Sequence, residues 1–152
     1  MSKGVYSIIF NGVITTAKTL LQIKAGATTP LEILRASITN ATVDASDSGV
    51  AQILRKSAAA TVTSQTAKLF DGSSTAADAV GGTSATGDTA TAEGTDTDVL
   101  IEEGFNVLNG FLWLPTPEER IIVPAAGFIA LKSDVTITSA TLRAVMVFRE
   151  LA

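Results

Sequence analysis

The sequence predicts an all-β domain, a sandwich or a barrel, on three observations. Short apolar segments recur along the chain between Gly, Pro, Asn and Asp, at the spacing of successive strands rather than of strand–helix units. No amphipathic stretch is long enough for a helix of several turns; residues 76–80 would give one short turn at most. The C-terminal segment alternates, with Ala140, Leu142, Ala144, Met146 and Phe148 in one phase and Thr141, Arg143, Val145, Val147 and Arg149 in the other. That is the pattern of a strand with one buried face. A chain of 152 residues with 46% hydrophobic side chains can bury its own core. A single domain of this size, 1–152, removes roughly 68–70% of its unfolded surface from water.

Expected strands, in order, are residues 5–10, 20–24, 34–40, 50–56, 99–105, 110–114, 120–123, 128–132, 135–138 and 141–149. Each is a short apolar or β-branched run bounded by turn-forming residues; the first, for example, stops at Asn11-Gly12. Two segments are apolar in both phases. In residues 110–114 a strand sends Phe111 and Trp113 one way and Leu112 and Leu114 the other. One pair must meet the core, and the other a second sheet, a loop or another chain. In the last strand Val145 and Val147 make the second face partly apolar. Phe111, Trp113, Val145 and Val147 are therefore the candidate interface residues, aromatics being enriched at interface centres. The competing readings are a purely internal Phe111 and Trp113 and an ordinary β-branched surface at the two valines.

The middle of the chain differs. Residues 71–97 are almost all Gly, Ser, Thr, Ala and Asp, with Val80 the one larger aliphatic and no aromatic. Such a tract cannot bury enough apolar area to offset its chain entropy. The expectation is a long flexible loop, or an arm that becomes ordered against a neighbouring subunit.

Composition narrows function. A net charge of −4 and scattered Lys and Arg offer no cationic face for phosphates, so no nucleic-acid partner is expected. The absence of cysteine removes disulfides, thiolate chemistry and cysteine-based zinc sites. The absence of histidine removes the commonest general base and transition-metal ligand. No run approaches the roughly 18 apolar residues of a membrane span, and no signal-peptide core is evident. The expectation is a chain made in a cytoplasm, with no membrane, cofactor or small-molecule substrate.

Motifs that carry chemistry are weak. Gly82 to Gly87 has the glycine spacing of a phosphate loop, but Asp88-Thr89 follows where Lys and Ser or Thr are needed, and a carboxylate repels phosphate. Glu102 and Glu103 point to opposite faces of a strand and cannot share a proton. Glu118 and Glu119 follow Pro115-Thr116-Pro117 and read as solvated turn residues. Asp44, Asp47, Asp71, Asp78, Asp88, Asp96 and Asp98 are hard oxygen ligands outside any EF-hand pattern; Asp96 and Asp98 would share a face, and the two readings are a calcium site between loops or subunits and a solvated surface. Serine nucleophiles have neither a histidine base nor a Gly-x-Ser-x-Gly elbow. The reading is of a protein that is not an enzyme.

The order of the segments carries a resemblance. Tyr6 to Phe10 opens the chain, followed by Thr16 to Lys24 and the strand from Pro30 to Ser37. Then come Gln52 to Lys56, Lys68-Leu69-Phe70-Asp71 and Thr91-Ala92-Glu93-Gly94-Thr95. Trp113-Leu114-Pro115 and Pro117 to Val123 lead into the last hairpin. This arrangement resembles the small jelly-roll capsid decoration (cement) proteins of tailed bacteriophages over most of the chain, through pattern and order rather than any diagnostic motif. The resemblance implies a jelly-roll antiparallel β-sandwich and a homotrimer on the capsid exterior of the virion. It further implies binding to the major capsid protein and resistance to internal DNA pressure. The alternatives are a tail or baseplate adhesin-type module binding a surface glycan or another virion protein, and a small cupin-like enzyme. The adhesin is disfavoured by the apolar contexts of Trp113 and Tyr6, and the cupin by the lack of histidine.

Overall fold

A computed structural model describes residues 2–42, 46–72 and 75–151, without the side chains of Ser2 and Lys3. Asp44, one of the candidate oxygen ligands, lies outside the described residues. The chain is all-β, and two antiparallel sheets pack as a sandwich. In chain order the strands are β1 (Ser2–Ile14), β2 (Lys18–Lys24), β3 (Leu31–Asn40), β4 (Ser48–Ala58), β5 (Thr61–Ser64), β6 (Lys68–Leu69), β7 (Gly87–Ala92), β8 (Thr95–Asn106), β9 (Phe111–Trp113), β10 (Ile121–Val123), β11 (Phe128–Ser133) and β12 (Ile137–Leu151). Among the described residues the only helical piece is a 3-10 turn, η1 (Pro117–Glu119). Residues 76–80 form no helical turn. The two C-terminal segments expected as separate strands are the single long strand β12.

The first sheet runs β10-β3-β12-β1-β6, with β9 also paired to β3. Its inner face carries the alternation of the C-terminal segment: Ala140, Leu142, Ala144, Met146 and Phe148 are all buried. β1 contributes Tyr6, Ile8 and Phe10 in matching phase, because Tyr6 pairs with Phe148, Ile8 with Met146 and Phe10 with Ala144. The Tyr6 and Phe148 rings stack with centroids 5.7 Å apart. A bulge at Leu34, skipped where Val147 meets Arg35 and Phe148 meets Ile33, keeps both sides of β3 in phase with this core.

The second sheet runs β5-β7-β2-β11-β4-β8. Leu21, Leu131 and Ile53 lie in one row across β2, β11 and β4 and face the shared core. The adjacent row of opposite phase, Gln22, Ala130 and Leu54, is buried too. The cover comes from a long two-stranded ribbon. β5 continues β4 after two residues, and β8 continues β7 after two. Ala58 pairs with Thr95 and Thr61 with Ala92, so one ladder passes from β4/β8 into β5/β7. Since β8 flanks β4 while β7 flanks β2, the ribbon must bend back over the outer face of β2, β11 and β4. A small second cluster of Ala60, Val62 and Ala90 fills the bend.

Part of residues 71–97, expected as a flexible loop or an intersubunit arm, is regular strand. Gly87–Ala92 is an interior strand between β5 and β2, and Thr95 onward belongs to β8. Large apolar side chains were not required there. The strand is held by backbone pairing on both sides, and glycine permits close approach: a Cβ on Gly87 would stand 2.1 Å from the Thr63 carbonyl oxygen. Gly94, at φ +68°, turns β7 into β8 against the carbonyls of Ala58 and Ala59.

Candidate functional site

Two polar devices fix the ribbon before any surface is considered. The first is Gln22, whose amide Oε1 accepts from Ala60 N at 2.9 Å and whose Nε2 donates to Ala85 O at 2.6 Å. The second is a cluster at the bend. The Lys56 side chain is fully buried, and its Nζ donates to Glu93 O at 2.6 Å and to Asp96 Oδ1 at 2.5 Å. Lys132 Nζ donates to Asp96 Oδ2 at 2.8 Å. Thr19 closes the ring by donating from N and Oγ1 to the Glu93 carboxylate at 2.8 and 2.7 Å.

Partial burial alone would raise the Asp96 carboxyl, but hydrogen bonds and positive charge from Lys132 and Lys56 outweigh it and hold the group below its ordinary 3.8. Burial would likewise lower Lys132, but Asp96, Glu93 and Asp134 outweigh it and raise the ammonium above 10.5. Both oxygens of Asp96 are engaged by lysines, so it is not placed to serve as a cation ligand with Asp98. Asp47 accepts from Ser48 N and Ser139 Oγ, and Asp78 from Thr29 Oγ1. Burial raises the Asp88 carboxyl above its ordinary 3.8, partly offset by hydrogen bonds that include Thr89 and Gln65. Among the described residues no cavity opens and no three acidic side chains group as a metal site.

The phosphate-loop spacing of Gly82 to Gly87 has a structural use. Thr83 O accepts from Val62 N, Ala85 O accepts from Gln22, and Gly87 begins β7. Glu102 and Glu103 are exposed on β8, and Glu118 and Glu119 are exposed in η1.

The remaining candidate is a surface, the outer face of the first sheet. The structure corrects the expectation for Phe111, which is 4% exposed and belongs to the core, with its ring 6.3 Å from that of Phe105. Trp113 is half-buried and packs against the same core. The reason is register: Phe111 pairs with Ile38 and Trp113 with Ala36, both buried. The opposite phase is the exposed one, with Leu112 at 60% and Leu114 at 68%.

Val145 and Val147 are in the outward phase, but Val147 is 6% exposed and, like Phe111, presents little surface of its own. Leu112 pairs with Ser37, Ser37 with Val145, and Val145 with Ile9, so one row crosses β9, β3, β12 and β1. Ile9 is 58% exposed and Val145 half-buried. The neighbouring row is Arg35, Val147, Ser7 and Lys68; Val147 is buried within it. At the far edge of β1, the Gln65 amide bonds both backbone groups of Ile9, accepting from N at 2.7 Å and donating to O at 2.8 Å. One side chain thus substitutes for a strand where β6 ends. Ile9 and Leu112 belonged to expected strands, but their outward phase follows only from pairing with β12 and β3. No family model, curated protein or solved structure matches the chain.

Proposed function

We propose that this chain is a capsid decoration (cement) protein of a tailed bacteriophage. As a homotrimer it binds the major capsid protein on the outside of the shell and stabilises the virion against internal DNA pressure without catalysing a reaction. The observation that carries the reading is the outer face of the first sheet: an apolar row through Leu112, Val145 and Ile9 on strands whose other face anchors the main core. A bridging protein needs such an apolar contact on a well-anchored sheet. The strand order supports the jelly-roll form of the fold. β1-β12-β3-β10 faces β2-β11-β4-β8, strands from the two ends of the chain alternating between sheets, with β5, β6 and β7 as an insertion. A glycan-binding module would present several exposed aromatic platforms, whereas Tyr6 is buried, Trp113 packs inward and Phe70 alone among the described aromatics is exposed.

The test is thermal release of DNA from capsids lacking the protein, titrated with purified chain. Binding to the intact shell alone raises its stability by mass action. The release temperature is expected to rise and then saturate as sites fill. No rise at saturation, or a full rise at amounts far below site occupancy, would overturn the proposal.

A further inference from the structure

We propose that copies of this chain join head to tail, the acidic edge strand β8 of one copy seated on the basic, apolar outer face of the β3–β12–β1 sheet of the next. The inference deepens the self-association part of the function proposed above and rests on that part alone.

Charge is distributed unevenly over a chain of net −4. The strands of the outer face expose Arg35, Arg143 and Lys68, none of them in an ion pair among the described residues. The carboxylate on that face, Glu32, is already engaged by Arg149 and Arg120. The apolar row Leu112–Ser37–Val145–Ile9 lies between the row holding Arg35 and Lys68 and the row Thr39–Arg143–Asn11. The second patch is its complement. Among the described residues β8 pairs only with β4 and leaves its other edge without a neighbouring strand. It exposes Val99 and Leu100 between Asp98 on one side and Glu102 and Glu103 on the other. These three carboxylates also have no ion pair among the described residues, whereas Asp96 is held by Lys56 and Lys132.

Neither patch suits itself. Two β8 edges laid antiparallel about Leu100 would set Asp98 beside Glu102, and two outer faces would set arginine against arginine. Like charges brought together at an interface oppose association. Only edge on face brings apolar surface to apolar surface and carboxylates to cations, with Glu102 and Glu103 flanking the β8 edge from its two faces. Because the two patches are different surfaces of one molecule, the contact is heterologous and propagates until rotation closes it into a ring. A trimer is one such closure.

The experiment measures the mass of the purified full chain by sedimentation or light scattering at micromolar concentration, without capsids. Three variants accompany the wild type: an edge variant (Glu102→Lys with Glu103→Lys), a face variant (Arg35→Glu with Arg143→Glu), and a chain carrying all four substitutions. All four positions are exposed, and circular dichroism melts confirm that each variant folds. The wild type is expected to be an oligomer that dissociates as salt rises toward about 1 M, where charges are screened within about 3 Å. The edge and face variants each weaken association by more than about tenfold. The four-substitution chain regains assembly, because reversing both partners restores complementarity. A monomeric wild type, an edge or face variant that assembles normally, or a folded four-substitution chain that stays monomeric would each overturn the inference. These outcomes are independent of capsid stabilisation. A chain that assembles as described but fails to raise the DNA-release temperature overturns the cementing function and leaves the junction standing.

Discussion

The first sheet and the ribbon of the second are held in place by different physics. In the first, β1, β3 and β12 carry Tyr6, Ile8, Phe10, Ile33, Ile38, Met146 and Phe148, all buried. Apolar burial of this kind stabilises by about 25 cal/mol per Å². In the ribbon of the second sheet, β5 and β7 bury little beyond Ala60, Val62 and Ala90. Order there comes from Gln22, Lys56, Thr19, Glu93 and Asp96, whose side chains tie loop backbone to the outer face of β2, β11 and β4. A tract poor in large side chains can therefore be an ordered part of a sandwich, provided that a few polar groups on neighbouring strands bond its backbone and glycine lets it come close.

The sharpest way to break the first region is to empty its core. Phe148→Ala removes a fully buried ring stacked on Tyr6 and is expected to cost about 3–5 kcal/mol in urea unfolding. A loss below 1 kcal/mol would mean that this core is not the main source of stability. In the ribbon the corresponding change is Asp96→Ala, which leaves the buried Lys56 ammonium with Glu93 as its one acidic partner among the described residues. The expected loss is about 3 kcal/mol, toward the lower end for breaking a buried pair because Asp96 is partly exposed and Glu93 remains. Adding Lys56→Met to Asp96→Ala should recover much of it, since the uncompensated charge is then gone. A double variant no more stable than Asp96→Ala would show that packing rather than charge sets the cost.

A smaller effect separates the regions by pH. Asp96 has its folded value depressed below 3.8, so its contribution is present above that value and is lost as pH falls through the lower folded value. Lys132 has its folded value raised above 10.5, so its contribution is present below 10.5 and is lost as pH rises through the higher folded value. The ribbon should therefore loosen at both extremes and be uniformly tight between them. Amide exchange at Gly87–Ala92, referred to that of β12 in the same sample, reads this directly. A ratio that changes between about pH 5 and 9 would contradict the assignment of the latch to Asp96 and Lys132.

The same contrast explains what was legible in the sequence. The core strands announced themselves through period-two apolar spacing, and β12 was readable residue by residue from Ala140 to Phe148. The phase of β9 was not: Phe111 to Leu114 is apolar in both phases, and only pairing with Ala36 and Ile38 sends Phe111 and Trp113 inward. The outer-face row was hidden for the same reason, because Leu112, Val145 and Ile9 meet through strands far apart in the chain. β7 was missed because its signal is not apolar at all. The Lys56–Asp96 contact joins residues 40 apart, and local spacing carries no trace of it.

The outer face of the first sheet is the part of the molecule on which function is placed, and one measurement tests that placement most directly. Ile9→Asp with Leu112→Asp puts two carboxylates into the apolar row at exposed positions, where single substitutions alter stability by about 0.5 kcal/mol or less. Thermal DNA release is then compared for capsids saturated with this variant and with the wild type. The expected variant stays folded, with the β-sheet circular dichroism of the wild type, but leaves the capsids no more stable than shells without the protein. A variant that protects the capsids as fully as the wild type would contradict it.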